Sequence, residues 1–241
     1  MILEIDVGNT FLKWRLLAAD HVVERGRCYS GQLAQGMPEQ WPDRVCRVRI
    51  GSVAGAEVDA LLERYCRQRW QLVPQFARTA AAAGGVRNSY QDPARMGVDR
   101  WLAMLAAFND AGGACCVVDC GSAITVDYVA ADGVHQGGYI MPGLRLLKES
   151  LLSNTARILV DQSLEQFDTR PGTHTSAAVE HGINLMFQAL QEKILADLES
   201  RPQPVPLYIT GGDGELFHRL AGCGCYRPEL VMDGLVWALE G

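Results

Sequence analysis

The sequence lacks the metal-binding spacings that its cysteines and histidines invite. Eight cysteines and five histidines occur in 241 residues, but no Cys-x-x-Cys pair and no zinc-type histidine pattern appear. Structural zinc is therefore not expected. Cys28, Cys46, Cys66, Cys115, Cys116, Cys120, Cys223 and Cys225 read as reduced thiols in a reducing compartment. There is no long Lys/Arg run, and the net charge is −6, so nucleic acid is not expected as a partner. No uncharged apolar stretch reaches the roughly 18 residues of a membrane span. No basic segment leads into an apolar run at the N-terminus, so a secretion signal is not expected. These absences together make a cytoplasmic location the expectation. Also missing are G-x-x-x-x-G-K-[ST], G-x-G-x-x-G and the protein-kinase motif set. P-loop, dinucleotide-fold and protein-kinase readings fall with them.

What is present begins at the first residue. The opening "MILEIDVGNTFLKWRLL" reads as an apolar strand, an aspartate, a glycine turn and a return strand. Asp6 places a carboxylate where the strand ends, and a buried unpaired carboxylate is costly. Gly8 allows a tight turn and close approach of a ligand, Asn9 and Thr10 add donors, and Lys13 follows on the return strand. An acid, a glycine turn, a hydroxyl and a lysine suit a phosphate with its metal ion; an ordinary hairpin with a polar turn also fits this stretch.

Near the midpoint the pattern returns in "VVDCGSAITVDYV". Asp119 matches Asp6, Gly121 matches Gly8 and Ser122 matches Asn9. "HQGGYIM" follows as a third strand after the turn signal "ADGV". Two such hairpins, each opening one half of the chain, point to a duplicated half-domain. The expected architecture is α/β: two duplicated actin-like (ribonuclease-H-like) half-domains, residues 1–113 and 114–241, with a nucleotide cleft between them. Two facing glycine turns can hold a phosphate chain from both sides. "PVPLYITGGDGELF" adds a strand, Leu207 to Thr210, ending in Gly211, Gly212 and Asp213, where a backbone can approach an adenosine closely; a plain strand-to-helix turn is the alternative.

The intervening segments read as connectors. "GAEVDALLERYCRQRW", "VDRWLAMLAAFNDA" and "AAVEHGINLMFQALQEKILADLES" carry apolar residues at helical spacing. Their Met and aromatic residues are expected in the core. Residues 30–44 read as an irregular loop with some helix. The stretch "GGVRNSYQDPARMGVDRWLAM" is loop-rich and dense in reactive side chains, with Tyr90, Asp99 and Arg100 among them. Asp99, at the start of a helical pattern, is either a helix N-cap or a group facing a ligand.

"DVGNT" with Lys13, "YQDPARMGVDR", "DCGSAITVD", "GGYIMPG" and "ITGGD", in this order, resemble type III pantothenate kinases. The resemblance runs from residue 1 to about 235 and is carried by these motifs, most specifically by "GVDR" after a Tyr-x-Asp-Pro loop. One departure is Gly121-Ser122-Ala123 where the family usually has Gly-Thr-Ala; serine keeps the hydroxyl. The resemblance implies phosphorylation of pantothenate by ATP with Mg²⁺, the opening step of coenzyme A synthesis. It implies a phosphate loop of Asp6, Val7, Gly8, Asn9, Thr10, Phe11, Leu12 and Lys13, with Asp6 holding Mg²⁺ directly or through water. It makes Asp99 the general base. Tyr90, Gly97, Val98, Asp99 and Arg100 line the pantothenate site, Ser122 touches ATP, and Asp119 holds a monovalent cation, K⁺ or NH₄⁺. A homodimer is implied, with Thr175 reaching the neighbouring subunit's pantothenate; Thr173 and Ser176 stand close by in sequence. Arg100 suits a substrate carboxylate or an ordinary salt bridge. Two other readings stand beside this one: a regulatory accessory protein of transcription from the same family, and a sugar or acyl kinase of the same superfamily.

Overall fold

The computed structural model describes residues 1–19, 21–154 and 166–240. In chain order the elements are β1 (Ile2–Val7), β2 (Phe11–Ala18), β3 (His21–Tyr29), β4 (Arg47–Ser52), α1 (Ala56–Trp70), β5 (Gln75–Phe76), β6 (Ala82–Ala83), β7 (Val86–Arg87), α2 (Val98–Ala111), β8 (Cys115–Cys120), β9 (Ala123–Val129), β10 (His135–Pro142), α3 (Leu144–Ser153), α4 (Thr175–Glu199), β11 (Leu207–Thr210), α5 (Gly214–Ala221), β12 (Cys225–Tyr226), α6 (Leu230–Asp233) and α7 (Leu235–Glu240).

Two five-stranded sheets carry one plan, β3-β2-β1-β4-β5 and β10-β9-β8-β11-β12. In the first, β1, β2 and β3 form an antiparallel meander, and β4 and β5 continue parallel to β1. In the second, β11 runs parallel to β8 and β12 parallel to β11. A helix links the last two strands each time, α1 in one sheet and α5 in the other. The duplication expected from two Asp-x-Gly hairpins is thus a duplication of whole sheets, and the α/β class holds.

The described chain divides into two compact units. One comprises Met1–Ala114, Tyr128–Gly137 and Glu229–Gly241; the other comprises Cys115–Asp127 and Gly138–Pro228. In the first unit, one face of β1 presents Leu3, Ile5 and Val7 to a core shared with Leu12, Trp14, Ile50 and Leu62. The other face carries acids, as the strand's period of two requires. Glu4 is paired in register with Arg15 of β2 and Arg49 of β4. It accepts from Arg15 Nε at 2.7 Å and from Arg49 Nη1 at 2.9 Å. Arg15 also bonds Asp233 at 2.6 Å and Glu229 at 3.1 Å, and Arg49 bonds Glu240. These ion pairs bring α6 and α7 onto the N-terminal sheet. Gly234 lets the same helices lie close against α2: a Cβ there would be 2.0 Å from the Leu102 carbonyl oxygen.

In the second unit α3 packs on α4, joined by the Lys148–Glu180 ion pair. Phe187 of α4 meets Phe217 of α5 edge to face at 5.6 Å. The expectation that helix Met and aromatic residues are core holds at Trp101, Met104 and Phe187 and fails at Met186, which is 58% exposed. Residues 30–44 form turns with a short 3₁₀ segment at Ser30–Gln32. Strand β3 had no sequence signal, because most of it is an exposed edge whose residues never alternate cleanly.

Candidate active site

The first hairpin places Asp6 directly opposite Lys13 across β1 and β2. Its turn is closed by the Gly8 N–H donating to the Phe11 carbonyl at 2.9 Å. Val7 and Leu12 are fully buried, so those residues can offer a ligand only backbone. The side chains available to a phosphate are Asp6, Asn9, Thr10 and Lys13. Burial pushes the Asp6 carboxyl up to about 6; Lys13 opposes the rise, and the Asp99 carboxylate adds to it. Asp6 and Asp99 therefore act on one another within the same unit, although most of the first half of the chain separates them in sequence.

Helix α2 begins at Val98 with Gly97 as its N-cap. The cap reading of Asp99 is thereby corrected: Asp99 is the second helical residue. Its Oδ1 accepts from the Arg100 backbone N–H at 2.8 Å, and a carboxylate in a first helical turn is stabilised by the helix dipole. Gly97 has a steric reason to be glycine, since a Cβ there would lie 2.5 Å from Asp99 Oδ1. Arg100 is buried at 5% exposure. Its Nη1 donates to the Tyr90 hydroxyl at 2.9 Å, and the guanidinium lies 5.7 Å from the centre of the Tyr90 ring. The Tyr90 ring also lies 6.2 Å from the ring of buried His135, whose Nδ1 is 2.9 Å from Ser89 Oγ. Tyr90, Gly97, Asp99 and Arg100 thus form one cluster, with the Val98 side chain turned into the core.

In the second unit three separate sequence motifs meet at the second hairpin. The Gly121 N–H donates to the Ala123 carbonyl at 3.0 Å, closing a turn one residue tighter than the first. The Gly143 N–H donates to the Ser122 carbonyl at 3.0 Å, and the Asp213 N–H to the Cys120 carbonyl at 2.9 Å. Gly211 has φ +90°, and a Cβ there would lie 2.5 Å from Asp119 Oδ1. "DCGSA", "MPG" and "TGGD" are therefore one structural element. Burial raises the Asp213 carboxyl and also the Cys120 thiol. Thr175 is the exposed first residue of α4, behind the N-cap His174. Of its neighbours, Thr173 is exposed and Ser176 is buried.

The type III pantothenate kinase family model matches residues 2–197. The chain belongs to the type III pantothenate kinase family. Its relatives of that name include one from Pseudomonas putida (strain W619), 40% identical with 99% of this chain and 98% of the relative covered. Another, from Marinobacter nauticus, is 39% identical with 98% and 96% covered. Among solved structures, a protein described as a Baf family transcriptional activator from Campylobacter jejuni has a TM-score of 0.60 at 20% identity, covering 99% of this chain and 97% of that one. A 2-dehydro-3-deoxygalactonokinase-like protein from Sinorhizobium meliloti also reaches 0.60, at 15% identity, with 99% and 95% covered. At these identities the two structures establish a shared fold and nothing more. Family membership favours the kinase over the regulatory reading, and it brings use of ATP with a divalent metal.

Gly97 sets the room left to the Asp99 carboxylate, which makes it a sensitive position. Gly97→Ala is expected to displace the Asp99 side chain and lower kcat by about tenfold or more, because small misplacements cost that much or more. Stability should fall by only about 1 kcal/mol, the cost of alanine at an N-cap. Kinetics beside a melting curve decide it; unchanged kcat would show that Asp99 tolerates the crowding. Sequence reading overlooked Ser89, His135 and Ser30 near these residues. No motif singles out any of the three, and their contacts reveal them.

Proposed function

We infer that the chain transfers the γ-phosphoryl group of ATP to the primary hydroxyl of pantothenate, giving 4′-phosphopantothenate. What carries the reading is the pair of carboxylates, Asp6 and Asp99, acting on one another in a member of this family. Phosphoryl transfer asks a protein mainly for positioning and charge neutralisation. Asp99 takes the proton of the hydroxyl as it attacks, help worth about 10²–10⁴-fold. Lys13 neutralises phosphate charge. Asp6 holds Mg²⁺ directly or through water. A desolvated carboxyl held at about 6 fits a cation that would offset its charge. Mg²⁺ needs only one or two carboxylates beside waters and phosphate oxygens, in keeping with the lack of any cluster of three or more His, Cys, Asp or Glu among the described residues. When bound, the ion supplies positive charge at the phosphates.

Tyr90 and Arg100, with the backbone at Gly97 and Val98, bind pantothenate, and Arg100 faces its carboxylate. The Arg100–Tyr90 hydrogen bond supports this by holding the guanidinium in one orientation before substrate arrives. Ser122 touches ATP, and Asp119 holds K⁺ or NH₄⁺. The working form is a homodimer in which Thr175 reaches the neighbouring site. Exposed apolar residues in the second unit support an interface: Tyr139 and Ile140 on β10, Leu146 on α3, and Leu185 and Met186 on α4. No helix among the described residues is long and apolar enough to cross a membrane.

An assay of ATP with pantothenate against a panel of sugars and short acids, run in K⁺ and in Na⁺ buffers, tests the assignment. Pantothenate is expected to be the only good acceptor, with turnover much higher in K⁺. A preferred sugar would overturn the substrate, and equal rates in both salts would remove the Asp119 cation. A sedimentation experiment that finds a fully active monomer would remove the shared site.

A further inference from the structure

We propose that Ser30, which lies outside every motif of the chain, is a positioning residue that shapes the Asp6–Lys13 turn for the phosphates of ATP; this rests on the reading of that turn as the phosphate loop. A turn binds an anion when its amide N–H groups face the ligand and its carbonyls are directed elsewhere. Four of the five carbonyls from Val7 to Phe11 have a protein donor. The Val7 carbonyl accepts from the Val53 N–H at 3.0 Å, and the Phe11 carbonyl accepts from the Gly8 N–H at 2.9 Å. Ser30 supplies both remaining partners in this set. Its Oγ donates to the Gly8 carbonyl at 2.7 Å, and its backbone N–H donates to the Thr10 carbonyl at 3.0 Å.

Ser30 is itself buried, at 7% exposure, and begins the 3₁₀ turn Ser30–Gln32 directly after β3. The pairing of Phe11 with Tyr29 sets its place, and the Phe11 and Tyr29 rings pack at a tilt, 4.7 Å between centroids, with Arg27 over the Phe11 ring. Strand β3 therefore has a job at the site: it delivers a hydroxyl and an amide to carbonyls of the glycine turn. With four of its carbonyls held back, the turn meets a phosphate largely shaped, so little reorganisation is needed when charge arrives.

The test is Ser30→Ala, with Ser30→Thr as the conservative variant and Lys13→Ala as a check on the loop itself. Ser30→Ala removes the Oγ bond and keeps the backbone one. The Michaelis constant for ATP, and the dissociation constant of a non-hydrolysable ATP analogue, are expected to rise about five- to tenfold, the scale of one neutral hydrogen bond. The pantothenate Michaelis constant should stay within about twofold, and Ser30→Thr should recover most of the ATP affinity. A merely structural serine would move both substrates and the melting temperature together, and that result overturns the proposal. So does an unchanged ATP constant in Ser30→Ala while Lys13→Ala weakens ATP. If Lys13→Ala leaves ATP binding untouched, the phosphate-loop reading fails and the Ser30 role falls with it.

Discussion

Asp99→Asn is expected to lower kcat by about 10²-fold or more while leaving ATP binding close to that of the parent. The amide keeps an oxygen for the Arg100 N–H, which Asp99 Oδ1 now accepts at 2.8 Å, but it cannot take a proton from the substrate hydroxyl. Its effect on stability should be small. Losing a negative charge in the first turn of α2 costs about 0.3–1 kcal/mol. The same loss removes a charge that raises the Asp6 carboxyl, which works in the opposite direction. The fold is therefore retained, and the kinetic effect reads the chemistry. Turnover numbers, the dissociation constant of a nucleotide analogue and a melting curve give the comparison. A folded variant turning over within a factor of a few of the parent would leave Asp99 a structural residue of the helix start, with the base elsewhere.

Asp6→Asn should separate activity from stability in opposite directions. Activity is expected to fall by about 10²-fold or more, because the variant loses the carboxylate proposed to hold the divalent ion at the phosphates. Stability is expected to rise at neutral and alkaline pH. The folded carboxyl is raised from 3.8 to about 6, so the folded protein holds this proton more tightly than the unfolded chain does. The stabilisation that this tighter binding contributes is complete below pH 3.8 and is lost as pH climbs through about 6. Above that range the parent carries an ionised, desolvated carboxylate, at a cost on the order of 2–3 kcal/mol. Asparagine carries none. Denaturant melts of the apo-proteins across the acid-to-neutral range should show the variant more stable above about pH 7, with the gap closing towards pH 4. A gap of constant size, or a less stable variant at neutral pH, would show that Asp6 is not held at a desolvation cost.

Local pattern alone located much of the framework. The helix expected over "VDRWLAMLAAFNDA" is α2 from Val98 to Ala111, and the strand expected at Leu207 to Thr210 is β11. Both hairpins and the third strand at "HQGGYIM" fall where alternation and turn residues put them. These signals are legible because strand period, helix period and glycine turns are set by residues a few positions apart. The repeated Asp-x-Gly hairpin likewise carries the signal of the duplicated sheet.

What the tertiary structure decided depends on partners distant in the chain. Nothing near Glu4 says that its carboxylate is held by Arg15 and Arg49, or that Asp233 and Glu240 return to the same ion-pair lattice. The cap of α2 is Gly97 and not Asp99, the cap that local pattern offers, because the backbone turns helical one residue before Asp99. That Asp6 is raised in part by Asp99, and that Gly211 closes over Asp119, are matters of distance in space. Ser30 is the clearest case: one serine in an irregular stretch, with no period and no motif, becomes the donor to Gly8 only because an edge strand with no sequence signal carries it there. Residue types and short spacings fixed which chemistry this chain can perform. Burial and long-range hydrogen bonding, which depend on the whole packed chain, fixed which of its side chains are in a position to perform it.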